Sequence, residues 1–356
     1  MNKIRFEKFE MKYGNYLPDD FKKFILKFGG DAQFGSCRFE YPENIINNLI
    51  RIPGEMDFHL IPFGDIGNGD YYCFYKYGAS ANDYFIGIWL HETRNFVILA
   101  STFKSFIYKC LLDDYLSTLI PNDSLSESEN AISCEESLTR CRILSEEYNF
   151  DFSKVKNMKN EFDYHKFMVE YDNRAIQSLC FVGKSLIKKR DSKGFNILEK
   201  VMEQCWFYTA PYYLIGKIHY NSGKDYNTYF KKALNTSLGI TGYSYWEEDY
   251  LEIPMDVHRE MALLIDDTLK KSDNFIEKKI YEGEDPYDYN LRLSCAREYI
   301  KINDYAKAMV EYNNALYCCE DKSAIKEILK EAYNAAKDGG FLYLIGIIES
   351  DIRKIR

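Results

Sequence analysis

Between Ile61 and Tyr77 the chain reads IPFGDIGNGDYYCFYKY. Three glycines in six residues (Gly64, Gly67, Gly69) are wedged between the apolar run Leu60 to Phe63 and the aromatic run Tyr71 to Tyr77. Glycine tolerates positive φ, and Asp65, Asn68 and Asp70 can hydrogen-bond their own turns, so the stretch predicts a strand, a tight loop and a second strand. A hairpin of this kind needs partners. Short apolar runs at Cys37 to Tyr41, Tyr84 to Leu90 and Asn95 to Leu99 supply them, with His91 to Arg94 as another turn. Five strands in hairpin order predict an antiparallel sheet.

Helices flank it. Pro18 with Asp19 and Asp20 marks a helix start, where negative charge is favoured, and Phe21, Phe24, Ile25 and Phe28 recur at helical spacing before Gly29-Gly30 stops the run. Residues 1 to 16 predict a shorter helix ahead of it. Ser101-Thr102 can cap a further helix, whose apolar residues run from Phe103 to Leu116. The first region is therefore an α+β domain over 1–120, an antiparallel sheet with helices on one face.

Residues 121–136, PNDSLSESENAISCEE, lose hydrophobicity and gain Ser, Asn and Glu, which predicts a solvated linker. From 137 to 356 only helical spacing is seen, so the second region is expected to be all-α. Its best internal pattern, Ala296, Tyr299, Tyr305, Ala308, Tyr312, Ala315 and Leu316, resembles the tetratricopeptide repeat over 289–322. A second candidate, Tyr213 to Leu234, falls two residues short after its Gly223 turn. An irregular aromatic insertion, Gly239 to Pro254, lies between them, and Leu342, Leu344, Ile347 and Ile348 are expected to close the stack.

At 356 residues the chain exceeds what one core usually serves, and 46% hydrophobic residues suffice for two packing units. No apolar run approaches 18 residues and the start is charged, so neither a membrane span nor a secretory leader is expected, and the location expected is cytoplasmic. Ten scattered cysteines without a C-x-x-C read as reduced, mostly buried thiols. A net charge of −9 argues against direct nucleic-acid binding but can attract a basic partner.

The chemistry-bearing residues form no constellation for catalysis. His91-Glu92 lacks the second histidine of a zinc protease, because position 95 is Asn95. Asp65, Asn68 and Asp70 do not match an EF-hand, and Gly67-Asn68-Gly69 is no phosphate loop. There is no G-x-S-x-G. No metal, cofactor or catalytic residue is expected.

The Leu17-Pro18-Asp19-Asp20-Phe21 helix start, the Phe28-Gly29-Gly30 stop and the Pro62-Phe63-Gly64-Asp65 loop before an aromatic strand together resemble the SUKH superfamily over 1–120. That resemblance implies a non-catalytic binding protein, of the immunity class that neutralises a polymorphic bacterial toxin; the alternative is an adaptor that holds a client peptide through its helical repeats. Alternation along Tyr71 to Tyr77 puts Tyr71, Cys73, Tyr75 and Tyr77 on one face and Tyr72, Phe74 and Lys76 on the other. Either one face is open, making Asp65, Asn68, Asp70, Tyr71 and Tyr75 partner contacts with a charged rim, or both faces are buried under helices. Asp65 and Asp70 are then expected to set the association rate with the toxin. In the repeat, Asn290, Arg297 and Lys301 share one helix face, and resemblance makes them groove contacts, although a plain solvated face explains them as well.

Overall fold

The computed structural model describes residues 2–47, 50–119, 126–155, 158, 160–242 and 256–355. Residues 121–125 of the expected linker, and 243–254 of the aromatic insertion with its Glu247-Glu248-Asp249 run, lie outside the described residues.

The charged start folds as α1 (Asn2–Tyr13), and α2 (Asp19–Phe28) begins after Pro18 with Asp19 and Asp20 in its first turn. Gly29 ends it at φ +92°, its N–H returning to the Ile25 carbonyl. Strands β1 (Gln33–Phe34) and β2 (Cys37–Phe39), helix α3 (Pro42–Asn47), and strands β3 (Leu60–Asp65), β4 (Tyr71–Lys76), β5 (Tyr84–Trp89) and β6 (Phe96–Ala100) follow. The six strands pair in sequence order and each pair is antiparallel. β1 was not expected; two residues are too few for alternation to register. At Gly87 a side chain would collide with the Val97 carbonyl and the Phe96 ring, which is why glycine sits in the middle of an apolar strand. Helix α4 (Phe103–Ser117) closes the first region, its Thr102 hydroxyl capping the Ser105 N–H at 3.1 Å.

The second region is helical: α5 (Glu127–Tyr148), α6 (Glu161–Tyr171), α7 (Ile176–Lys188), α8 (Lys193–Gln204), α9 (Ala210–Asn221), α10 (Asn227–Ala233), α11 (Val257–Leu264), α12 (Asp266–Leu269), α13 (Phe275–Tyr281), α14 (Tyr289–Lys301), α15 (Tyr305–Cys318), α16 (Lys322–Asp338) and α17 (Leu342–Lys354). The described part of the expected linker is the start of α5, with Ser126 and Glu129 exchanging side-chain and backbone bonds as a capping box. Its solvated composition belongs to an exposed helix face. Helices α14 and α15 form the hairpin expected for 289–322, with Ala296, Ala308 and Ala315 fully buried at the crossing. In the second candidate, α10 spans seven residues, in keeping with the short segment after Gly223. Leu344, Ile347 and Ile348 are buried as expected, but Leu342 points outward at the first position of α17.

The sheet is covered on both faces. Phe63, Tyr72, Phe74, Ile86, Ile88, Val97 and Leu99 pack with α1, α2 and α4, where Phe21 sets its ring edge-on to Phe63, Phe74 and Phe103 at 5.2–5.5 Å. Leu60, Cys73, Tyr75, Phe85, Trp89, Phe96 and Ile98 form the opposite face, against Ile176, Leu179, Phe207, Tyr208, Ile215 and Phe230 of the helical region. The alternation assigned from sequence is observed; the single-sided helix layer is not. Helices from beyond the linker cover the second face because every strand of β3 to β6 is apolar on both sides, which water does not tolerate.

Polar contacts lock the two regions. Arg51 and Asp351, 0% and 1% exposed, pair through Nη2 to Oδ2 at 2.7 Å and Nε to both carboxylate oxygens at 3.0 Å. The Ser101 N–H and hydroxyl donate to Asp172 at 2.6 and 2.7 Å, Phe58 N–H donates to Asn313 Oδ1 at 3.2 Å, and Phe96 N–H donates to the Gly239 carbonyl at 2.7 Å. Asn15 Nδ2 donates to the Tyr343 carbonyl, and a side chain at Gly346 would strike the Tyr13 backbone, so α17 lies directly on α1. All ten cysteines are free thiols, and no described helix is long and apolar enough to cross a membrane.

Asp351→Ala strands the buried Arg51 guanidinium and is expected to cost about 3–5 kcal/mol in urea denaturation. A second expectation concerns acid. Burial pushes His165 down to about 3, and burial, then Arg292, holds His258 well below its ordinary range. The unfolded chain therefore binds protons that the folded chain refuses, and stability is lost as pH falls below about 6.5, by up to about 1.4 kcal/mol per pH unit for each histidine. His165→Gln should flatten the stability profile between about pH 6 and 4 by that slope; an unchanged profile would show that this imidazole does not govern it.

Candidate partner-binding site

The loop after β3 is built from its own side chains. Gly67 and Gly69 take φ +86° and +103°, and Asp65 Oδ1 accepts the Gly67 N–H at 2.9 Å. Asn68 Oδ1 accepts the Asp70 N–H at 3.0 Å while Asn68 Nδ2 donates to Asp70 Oδ2 at 2.9 Å. These are the turn bonds expected of Asx residues. They hold Gly67 and Asn68 at the exposed tip.

Groups on neighbouring elements then bond both carboxylates. Arg38, opposite Asp65 in the β2–β3 register, donates from Nη2 to Oδ1 at 2.9 Å and from Nε to Oδ2 at 3.2 Å. Asp70 Oδ1 accepts the His91 N–H at 2.8 Å and lies 2.8 Å from His91 Nδ1. The acids are inside and their partners outside: side-chain exposure is 8% for Asp65 against 58% for Arg38, and 4% for Asp70 against 40% for His91. The expected acidic rim is thus absent. Asp65 and Asp70 shape the loop, and the exposed groups at the tip are Gly67, Asn68, the Arg38 guanidinium and the His91 ring.

The tyrosines divide. Tyr71 is half-buried, its ring parallel to Trp89 at 6.3 Å, and burial, then Asp65, raises its phenol pKa. Tyr75 is 3% exposed and stacks on His59, Phe207 and Phe96 at 4.9, 5.2 and 5.9 Å. Tyr75 has no surface for a partner; it is where the helical region seals the sheet. Arg38 and His91 were missed at the sequence level. His91 was legible only as a polar turn, and Arg38 acquires its role from a register that pairs residues 27 apart.

On α14, Asn290, Arg297 and Lys301 are all exposed on one side. Arg297 reaches across to α16, donating to both Glu331 oxygens at 3.0 and 2.7 Å, above a hollow of about 260 Å³ lined by Ile300, Tyr312, Asn334 and Asp338. Asn290 bonds Asp288 and Lys301 bonds Glu298 on their own helix, so only Arg297 enters that hollow. Among the described residues no His, Cys, Asp and Glu side chains gather as a metal site.

Residues 2–109 match the SMI1 / KNR4 family (SUKH-1), so the N-terminal part carries a SUKH-1 domain and a helical region follows it. The match ends within α4. No curated protein and no solved structure matches the chain.

If the acids shape the loop, Asp70→Ala, which deprives the His91 N–H of its acceptor, should cost about 2 kcal/mol in thermal denaturation. Asn68→Ala, at the exposed tip, should cost about 1 kcal/mol or less. Equal effects would place both residues in the same role.

Proposed function

We propose that this chain is a non-catalytic binding protein that neutralises a bacterial toxin by docking on it, with the tip of the SUKH-1 domain as the contact. The family match supports the binding class. The observation that carries the choice of surface is the tip itself, a loop whose carboxylates and glycines are fixed by Arg38 and His91 before any partner arrives. A loop already ordered spares the entropy that binding would otherwise cost. Both sheet faces are occupied internally, so a contact made by the sheet itself falls at its end.

In this reading Asn68 and the edge of Tyr71 make the contact, Asp65 and Asp70 hold the loop, and the net charge of −9 speeds encounter with a basic toxin from other parts of the surface. Nanomolar neutralisation requires about −12 kcal/mol, supplied mostly by a few desolvated groups such as Tyr71. The bond between chains is non-covalent throughout and occlusion of the toxin's active site is the whole effect.

The hollow beneath Arg297 favours a second reading, an adaptor that holds a client peptide along α14 and α16. Surface plasmon resonance of the chain against candidate toxin domains, chosen from genes encoded beside it, separates the two. Tyr71→Ala and Asn68→Lys are expected to speed dissociation at least tenfold, or about 1.4 kcal/mol, with Arg297→Ala unchanged. Loss of binding with Arg297→Ala alone would replace the toxin-docking tip with the adaptor groove.

A further inference from the structure

The seam between the two regions holds a cleft of about 560 Å³, bounded by the segment before β3, the β5–β6 turn, the α15–α16 junction and the end of α17. Arg94 lines it and also the narrower recess beside it that reaches Leu60, Phe96 and Tyr317. Its turn is held from both sides. The Thr93 carbonyl accepts the Tyr317 hydroxyl at 3.1 Å, and Asn95 Oδ1 accepts the Thr241 hydroxyl at 3.0 Å. A guanidinium on so fixed a turn is placed, not merely tethered.

Arg94 is half-buried, yet it has no hydrogen bond or ion pair among the described residues. Every other described arginine that is partly or fully buried has a partner: Arg5 with Glu43, Arg51 with Asp351, Arg140 with Asp114, Arg174 with Tyr77 and Arg292 with Glu311. Partial burial removes some of the water that would otherwise satisfy the five donors of the fork, and that fork matches a carboxylate. Among the described residues the other charged groups lining the cleft are Lys322, Lys354, Glu55 and Glu320, and Asp57 lines the adjoining recess. Ile52, Pro53 and Ile325 supply an apolar side.

We propose that this cleft binds a monocarboxylate with an apolar body, the carboxylate on Arg94 and the body against Ile52, Pro53 and Ile325. A monoanion suits the cleft better than a phosphate dianion or a nucleic-acid backbone, whose second charge would meet Glu55 and Glu320. A free carboxylic acid and the terminal residue of a peptide share this chemistry. The proposal is independent of the toxin-docking reading, since the cleft lies on the seam and not at the loop tip.

The test is calorimetric titration of the full-length chain with octanoate against octanamide, and with N-acetyl-alanyl-leucine against its C-terminal amide. Each acid that binds is expected to do so at least tenfold more tightly than its amide, and Arg94→Gln should erase that preference while the exposed Arg142→Gln leaves it intact. Preference confined to octanoate assigns the cleft to free acids, and preference confined to the peptide assigns it to chain termini. Glu55→Gln, which removes a like charge from the wall, should tighten the acid at least twofold. Acid and amide binding equally, a preference that survives Arg94→Gln, a weaker acid with Glu55→Gln, or no binding of either acid at about 10 mM would each overturn the proposal. The acid-to-amide comparison on the unaltered chain decides the matter even if Arg94→Gln does not fold.

Discussion

Tyr75 sits between His59 and Phe207, one ring from the segment leading into β3 and the other from beyond the end of α8. That stack is the centre of a surface on which Leu60, Cys73, Phe85, Trp89 and Ile98 also require cover. A sheet apolar on both sides has no stable arrangement in water with one side open, and burying such a set of aromatic and branched side chains contributes about 1.5–3 kcal/mol for each. The helical region is therefore the second layer of the SUKH-1 sheet as well as a body in its own right. Its helices are held there by the same logic, since Ile176, Leu179 and Phe230 would otherwise face solvent.

This arrangement narrows what the first region can offer a partner. A binding surface on the sheet face, attractive from the run of tyrosines alone, is excluded by the molecule's own packing at Tyr75. At the end of the sheet two turns converge, and Asp70 reaches from one to the other through His91. There the sign of the surface is reversed from what the residues suggest. The acids turn inward to Arg38 and His91, so the exposed tip carries nitrogen groups while the net charge of the chain is negative.

Much of this architecture was legible because it is written in local periodicity. The Phe21, Phe24 and Ile25 face of α2, the Gly29 stop, the antiparallel order of the strands and the alternation of Tyr72 and Phe74 against Tyr71 and Cys73 all follow from spacing alone. The start of α5 was misread as linker although Ser126 and Glu129 carry a helix-start signature, because its exposed face carries mostly polar residues that look like loop. What spacing cannot convey is which distant element meets which. The cover over Tyr75, the guanidinium at Asp65 and the carboxylate at Arg51 all depend on pairings between residues tens to hundreds of positions apart. The same is true of Arg94, whose lack of a hydrogen-bond or ion-pair partner among the described residues is visible only once its neighbours are in place.

The ion pair between Arg51 and Asp351 spans 300 residues of chain. Its two members are buried together with the β3 entrance, so that entrance cannot reach its final form until residue 351 has left the ribosome. Until the later helices arrive, the strand face they cover is apolar and open, a surface for which a chaperone or a neighbouring chain can compete.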